Sequence, residues 1–140
     1  MQLQKAVVDS LYLFNQSPDH RLLTLVDFNH FLIFPLTNGK ARLFYDEDRP
    51  IGLVTWAWLT SEESAALLAD SFMPSESVFQ RDISDELWGL DFIAPFNPGR
   101  PIIRMMMKDT YQAATSHLSQ DFKVHWRRFK QPSCRHTRRL

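Results

Sequence analysis

The sequence is poor in cysteine and glycine, and both shortages exclude classes of function. Its 140 residues contain one cysteine, Cys134, so an internal disulfide and a cysteine-rich metal module are both excluded. The four glycines are isolated, and the chain has neither a P-loop nor the glycine fingerprint of a dinucleotide-binding fold. A single cysteine fits a protein that works in a reducing compartment.

Long apolar runs are also missing. The longest, residues 28–36, is interrupted by Asn29, His30 and Pro35 and is too short to cross a lipid bilayer. The first residues of the chain lack the apolar core that a signal peptide needs. These two observations predict a cytoplasmic protein with no transmembrane segment.

Several familiar catalytic motifs are absent as well. The five histidines, at positions 20, 30, 117, 125 and 136, lack the i, i+4 pairing of a zinc-binding helix, so no bound metal is expected. A G-x-S-x-G nucleophile elbow is missing, and Cys134 lies in a polar tail where a nucleophile would be poorly held. Chemistry by a histidine and a carboxylate remains, because imidazole exchanges protons near neutral pH and a carboxylate stabilises its cation.

The composition is that of a globular domain with an uneven charge distribution. Hydrophobic residues make up 44% and charged residues 23%, which is typical of folded proteins. From position 123 onward there are seven basic and no acidic residues, whereas nine basic and all sixteen acidic residues precede it. We expect one domain over residues 1–130 and a basic tail over residues 131–140. The tail is either a solvated end or a contact surface for an anionic partner.

The spacing of apolar residues predicts an α/β fold with elements in the order αα-ββ-α-β-α-β. Four helices are expected from 3-4 spacing and from capping residues or proline at their starts, over residues 2–16, 22–36, 60–70 and 98–117. Four strands are expected, over residues 41–45, 51–59, 87–93 and 121–129. The first two strands are predicted to flank a five-residue loop, and residues 71–86 to form an exposed connection. These elements predict a mostly antiparallel central sheet flanked by helices.

Two residues are candidates for proton transfer. His20 follows Ser17-Pro18-Asp19 at the break between the first two helices, because proline disfavours helix in the residue before it. Asp91 is the one charged residue in the predicted strand over residues 87–93, where a carboxylate is costly to bury unless it is paired. On the residues alone, two ordinary interpretations stay open. Asp91 is then an outward-facing strand residue, and His20 is an ordinary histidine at a helix break.

Three motifs together resemble the RTX toxin-activating lysine acyltransferases, the small proteins that activate haemolysin-type protoxins. They are SPDHR at residues 17–21, PIGLVTWAWL at 50–59 and WGLDFIAPF at 88–96, in the family's order and at similar separations. The resemblance covers roughly residues 5–130 and implies a fold similar to the Gcn5-related N-acetyltransferases. It also implies transfer of a fatty acyl chain from acyl carrier protein to internal lysines of an RTX protoxin. His20 and Asp91 are then the catalytic residues. Ser17 matches a position that modulates activity in the family, or it is simply a serine that ends or caps a helix.

The residues near position 100 bear on the acyl donor. Gcn5-like enzymes hold the pyrophosphate of coenzyme A with a glycine-rich loop that enters a helix, whereas residues 96–101 contain one glycine and two prolines. Arg100, Arg104 and Lys108 then form a basic stripe on one helix face, which is either solvated or a docking site for the acidic acyl carrier protein. Gly99 would let the phosphopantetheine thioester arm of the carrier pass, and no bound cofactor is expected.

The interpretation as an acyltransferase assigns a role to each remaining candidate. Neutral His20 accepts a proton from the substrate lysine while Asp91 orients the ring, and a transient acyl-histidine is the rival mechanism. Trp56 and its aromatic neighbours either line a slot for the acyl chain or belong to the core. The expected partners are acyl carrier protein, an RTX protoxin and a second copy in a homodimer, with no nucleic acid.

Two other functions remain open from the sequence. A coenzyme A-dependent N-acetyltransferase acting on another amine predicts tight binding of coenzyme A. A non-catalytic module that binds an anionic partner predicts strongly salt-dependent binding, which removal of residues 123–140 would abolish.

Overall fold

A computed structural model of the chain describes residues 2–21 and 23–127 with their side chains, and the backbone of residues 135–138. The strands of these residues form one sheet in the order β1-β2-β3-β4-β5. The first three, β1 (Ala41–Asp46), β2 (Arg49–Leu59) and β3 (Glu86–Ile93), are antiparallel neighbours. Strand β4 (Val124–Arg127) runs parallel to β3, and β5 (Arg135–Arg138) is antiparallel to β4. The predicted α/β fold with a mostly antiparallel sheet is confirmed.

Helices cover both faces of this sheet. They are α1 (Leu3–Gln16), α2 (Leu25–Phe28), α3 (Phe34–Thr37), α4 (Ser61–Leu68), α5 (Glu76–Phe79) and α6 (Arg100–Thr115). A π-helical turn, Asn29–Ile33, joins α2 to α3. Apolar side chains of α6 pack on one face of the sheet, and those of α1, the π-helical turn, α4 and α5 pack on the other.

Strand β2 is the centre of the core, as its apolar sequence predicts. Its residues from Gly52 to Leu59 are all buried. Val54, Trp56 and Trp58 face α6, whereas the alternate positions face the other helices, because successive side chains of a strand point to opposite faces. Burial on both faces explains why this strand is a nearly continuous apolar run.

Strand β3 contains a bulge. Thr55 of β2 pairs with Asp91, but the next residue, Trp56, pairs with Gly89, so Leu90 is an extra residue in β3. A bulge of this kind shifts the alternation of side chains by one position.

The bulge determines which face carries the carboxylate. In an uninterrupted strand, Asp91 would share a face with Leu87, which packs with the residues of α6. After the bulge, Asp91 and Ile93 lie on the opposite face, where Ile93 packs with Leu13 of α1. The bulge therefore turns Asp91 towards the end of α1.

The second predicted helix differs from expectation. Instead of one helix over residues 22–36, the described residues form α2, the π-helical turn and α3, and Leu22 lies outside them. Helix α2 begins at Leu25 because Thr24 caps it: the N–H of Asp27 donates to Thr24 Oγ1 at 3.2 Å, and the N–H of Thr24 donates to the Asp27 carboxylate at 3.0 Å.

Two loop predictions were wrong. The hairpin turn between β1 and β2 contains only Glu47 and Asp48, because Asp46 and Arg49 pair across the hairpin and Glu47 adopts a positive φ of 55°. The connection over residues 71–86 is not simply exposed, since α5 buries Val78 and Phe79 in the core. A four-residue helix is too short to show a periodicity in the sequence.

The predicted basic tail is only partly within the described residues. Four of its residues form β5, which continues the sheet beyond β4. Its other residues, Cys134 among them, lie outside the described part, so the boundary between domain and tail stays a prediction. No helix in the described part of the chain has both the length and the apolar character needed to cross a membrane.

Candidate active site

The structure brings His20 and Asp91 into contact, although 71 positions separate them in the sequence. Nε2 of His20 lies 3.0 Å from Oδ1 of Asp91, and the exposed fractions of the two side chains are 6% and 0%. The turn after α1 holds His20, whose backbone N–H donates to the carbonyl of Ser17 and whose ring meets the edge of Phe14. Two separate elements, this turn and β3, thus supply the two halves of a buried pair.

Ser17 engages the other ring nitrogen of His20. Its Oγ lies 2.7 Å from Nδ1, and the serine side chain is itself buried. If the Asp91 carboxylate is ionised, Nε2–H donates to it, and Nδ1 then accepts the hydroxyl proton of Ser17. This tautomer leaves the basic lone pair of His20 on Nδ1.

Asp91 is buried but surrounded by groups that favour its charge. Burial acts to raise the pKa of Asp91, but the positive charge of Arg127 and the hydrogen bond with His20 outweigh it, so the pKa lies below its ordinary value of 3.8. Nη2 of Arg127 lies 3.3 Å from Oδ1, and the backbone N–H of Asp91 donates to Thr55 Oγ1 at 3.2 Å. The second carboxylate oxygen, Oδ2, has no hydrogen-bond partner among the described residues.

Arg127 and Thr55 were missed as site residues by sequence reasoning. Arg127 was counted only as one of several basic residues near the C-terminus. For Thr55 a signal was present, because it is the one hydroxyl residue in the apolar run of β2 and a fully buried hydroxyl needs a partner. For Arg127 the sequence held no comparable signal, since its neighbour in space comes from another strand.

Four of the residues predicted to meet the acyl donor lie just before α6 and along it as far as Lys108. Gly99 immediately precedes the helix with a φ of 90°, a conformation that favours glycine. Arg100, Arg104 and Lys108 are all exposed, and none has an ion-pair partner among the residues that the structure describes. The predicted basic stripe is therefore present as a surface, and its partner stays a prediction.

Trp56 lies in the core rather than at the surface. Its side chain is buried and lines a narrow apolar crevice with Tyr111 of α6 and Trp126 of β4. The crevice has a volume of about 10 Å³, which is room for one water molecule but not for a fatty acyl chain. A role for Trp56 in binding the acyl chain stays a prediction that needs these side chains to move.

The chain matches one known family over nearly its whole length. The model of the RTX toxin acyltransferase family matches residues 2–135, a range that includes His20, Asp91 and Arg127. No curated protein sequence matches the chain. Within the described residues, no group of three or more His, Cys, Asp or Glu side chains is placed to hold a metal ion.

Proposed function

Because the chain belongs to the RTX toxin acyltransferase family, we propose that it transfers a fatty acyl chain from acyl carrier protein to lysine ε-amines of an RTX protoxin. The coarser statement follows from the family itself: the protein is an acyltransferase that acts on RTX toxins. The observation that carries the proposal is the buried contact of 3.0 Å between His20 and Asp91. The proposal also places the reaction in the cytoplasm, where the protoxin would be modified.

His20 acts as the general base in this proposal. A lysine side chain has an ordinary pKa of about 10.4, so its ammonium group must lose one proton to water before the nitrogen can attack the thioester. The neutral amine nitrogen bonds to the thioester carbonyl carbon and the C–S bond breaks. The second proton that the nitrogen loses as the amide forms passes through His20 to the departing phosphopantetheine thiolate. Asp91 stabilises the imidazolium that forms between the two transfers.

The contacts of the ring favour the base mechanism over an acyl-histidine. Asp91 occupies Nε2 and Ser17 occupies Nδ1, so neither nitrogen is open for acylation without displacing a partner. Proton transfer needs a smaller change. The Ser17 hydroxyl either rotates away from Nδ1 or passes the proton to it.

The topology of the sheet supports docking of the donor at α6. Asp91 lies near the carboxyl end of β3, and residues 94–99 lead from that end to the first turn of α6. The basic stripe, Arg100, Arg104 and Lys108, therefore begins at the same edge of the sheet as the catalytic carboxylate. An acidic carrier protein bound there would deliver its thioester arm around this end of β3, because Asp91 faces the side of the sheet opposite α6.

A Gcn5-related architecture is also part of the proposal. Its support is the antiparallel run β1-β2-β3 followed by the parallel pair of β3 and β4, which are joined through α6. A homodimer stays a prediction too. Its support is the exposed apolar side chains of α1, Leu3, Val8, Leu11 and Tyr12.

The test is a transfer assay with two competing donors. The protein is incubated with a candidate protoxin and either palmitoyl acyl carrier protein or palmitoyl coenzyme A, and acylated lysines are mapped by peptide mass spectrometry. We expect palmitoylated lysines with the carrier protein only. Transfer from coenzyme A alone would overturn the assignment of the donor.

Variants test the catalytic pair in the same assay. His20→Ala and Asp91→Ala should each lower the rate by about 10² to 10⁴. His117→Ala, at an exposed histidine after α6, is the matched control and should retain the wild-type rate. Near-normal rates for both site variants would show that the pair is not catalytic.

A further inference from the structure

Arg127 connects three elements around the carboxylate. Its Nη2 lies 3.3 Å from Oδ1 of Asp91, and its Nε donates to the carbonyl of Leu90 at 3.2 Å. Its guanidinium carbon lies 4.1 Å from the ring centroid of Phe31, in the π-helical turn. The exposed fraction of the arginine side chain is only 10%, so these contacts fix a largely buried cation.

The contact with Leu90 occurs where the sheet is irregular. The parallel pairing of β3 and β4 ends at Gly89 and Trp126, one residue before Leu90 and Arg127. Leu90 is also the extra residue of the bulge. Arg127 therefore lies beside the bulge that turns Asp91 towards His20.

We propose that Arg127 is a positioning residue for the transfer reaction: it keeps Asp91 ionised and aimed at Nε2 of His20, which leaves Nδ1 of His20 as the base. Arg127 does not touch the substrate in this proposal. The inference rests on the proposed function only for its kinetic test, because the state of His20 can be measured without any substrate.

The physical argument concerns the charge balance of a buried cluster. The charged or titratable side chains that act on Asp91 are Arg127 from β4 and His20 from the turn after α1. The facing position of β2 contributes only the uncharged Thr55. Without Arg127, the buried pair would carry an uncompensated negative charge, which favours protonation of either Asp91 or His20. In both cases the pair holds an extra proton.

An arginine suits this position better than a lysine. Its planar guanidinium donates to Leu90 and Asp91 at once and lies over the ring of Phe31. A lysine keeps the positive charge but lacks the planar set of N–H donors that can bind two acceptors at once. Arg127→Lys and Arg127→Gln therefore separate the effect of the charge from that of the geometry.

The first measurement is nitrogen NMR of ¹⁵N-histidine protein over a pH range. His20 is assigned by the signal that disappears in His20→Asn. We expect the neutral ring of His20 to carry its proton on Nε2 in the wild-type protein. In Arg127→Gln the proton of the pair should be lost about one pH unit higher or more, since the compensating cation is gone. Arg127→Lys should titrate close to the wild type.

The second measurement is the pH profile of kcat/KM with palmitoyl acyl carrier protein. The acidic limb of the profile should move upward in Arg127→Gln, so that activity partly recovers at high pH. Arg127→Lys should keep the wild-type limb and lose less activity. Arg42→Gln removes an exposed arginine that pairs with Asp109, and as the control it should change neither property.

Each outcome decides between distinct ideas. A uniform loss of rate in Arg127→Gln, with an unchanged acidic limb and an unchanged His20 titration, would mean that the arginine is merely structural. Should Arg127→Gln fail to fold, an altered His20 titration in the folded Arg127→Lys would overturn the role of the charge. If the wild type transfers no acyl chain while the NMR results hold, the proposed function fails and the positioning role stands.

Discussion

Asp91 is a carboxylate with almost no access to water, and such a group keeps its charge only when its neighbours replace the lost hydration. Arg127 supplies a compensating charge, and His20 and Thr55 supply hydrogen bonds to the side chain and backbone. The same contacts that hold the proposed catalytic pair together therefore also stabilise the fold. At the scale of residues, activity and stability cannot be separated at this position.

This coupling predicts how stability changes with pH. Because the pKa of Asp91 is lowered in the folded protein, its ionised form adds stability above the ordinary value of 3.8, and this stability is lost as the pH falls below that value. We expect Asp91→Asn to lower the free energy of unfolding by about 3 kcal/mol near pH 6, since it leaves Arg127 without its buried partner. The difference from the wild type should shrink towards pH 3.

Urea unfolding at the two pH values measures this difference. Asp109→Asn is the matched control, because it removes one half of an exposed ion pair with Arg42. Exposed pairs contribute about 0 to 1 kcal/mol, so the control should lose little stability at either pH. A difference for Asp91→Asn that stays constant with pH would contradict the lowered pKa.

Ser17 should tune the base without being essential. Ser17→Ala removes the hydroxyl that lies 2.7 Å from Nδ1 of His20 but leaves the contact with Asp91 intact. We expect kcat to fall by about tenfold or less, well short of the loss in His20→Ala. The measurement is kcat at saturating donor. A loss as large as that of His20→Ala would show that the serine itself takes part in bond making.

The candidate residues of the site were predictable, but their arrangement was not. His20 and Asp91 emerged because each is a polar residue in an unusual local context and both fall in motifs that resemble a known family. Which nitrogen meets the carboxylate depends on the turn after α1, and whether Asp91 faces that turn depends on the bulge in β3. Both are properties of backbone pairing between distant segments, which a single sequence does not display.

At the scale of elements, prediction succeeded where periodicity was long. Helices α1 and α6 contain enough residues for a clear 3-4 pattern, and strand β2 is a long apolar run. All three were predicted close to their observed bounds. The predictions for the segments that form helix α5 and the turn at Glu47 and Asp48 were wrong, because each of these structures involves four residues or fewer. The π-helical turn was also missed, since its wider hydrogen bonding leaves no mark on the apolar pattern.

Close packing between β3 and β4 predicts a strong effect at Gly89. A Cβ atom added there would overlap the ring of Trp126 on the neighbouring strand. We expect Gly89→Ala to lower the free energy of unfolding by about 1 to 3 kcal/mol, since the ring has to shift within a packed core. Denaturant unfolding measures the change.

Gly39 offers a control for this substitution. It adopts a φ of 69°, and a Cβ atom added at this position would have no neighbouring atom within 4 Å. Asparagine tolerates this conformation better than most residues, so Gly39→Asn should alter stability by less than about 1 kcal/mol. Equal losses for the two variants would argue against the contact with Trp126.

At the scale of the whole molecule, charge distribution predicts where the donor docks. Lys108→Glu, in the basic stripe of α6, should raise the KM for acyl carrier protein by about fivefold to tenfold with little change in kcat. The reason is that an exposed charge affects the encounter with an acidic partner more than the chemical step. Added salt should likewise raise the KM of the wild-type protein for acyl carrier protein, because it screens the same charges.

Lys123→Glu is the matched variant outside the stripe. Both lysines are exposed, and neither has an ion-pair partner among the described residues. We expect a nearly unchanged KM for Lys123→Glu. A larger effect at Lys123 than at Lys108 would move the docking surface to the basic C-terminal end of the chain.

The bulge at Leu90 has a consequence for insertions and deletions. Removing Leu90 would leave Gly89 opposite Trp56 and Asp91 opposite Thr55, so the register on both sides would survive and the carboxylate would still face His20. Two things would be lost: the carbonyl that receives Nε of Arg127, and the buried side chain of Leu90 in the core. Position 90 is therefore the place where β3 can lose a residue without a change of register, whereas a deletion at another position of the strand would reverse the faces of the residues on one side of it.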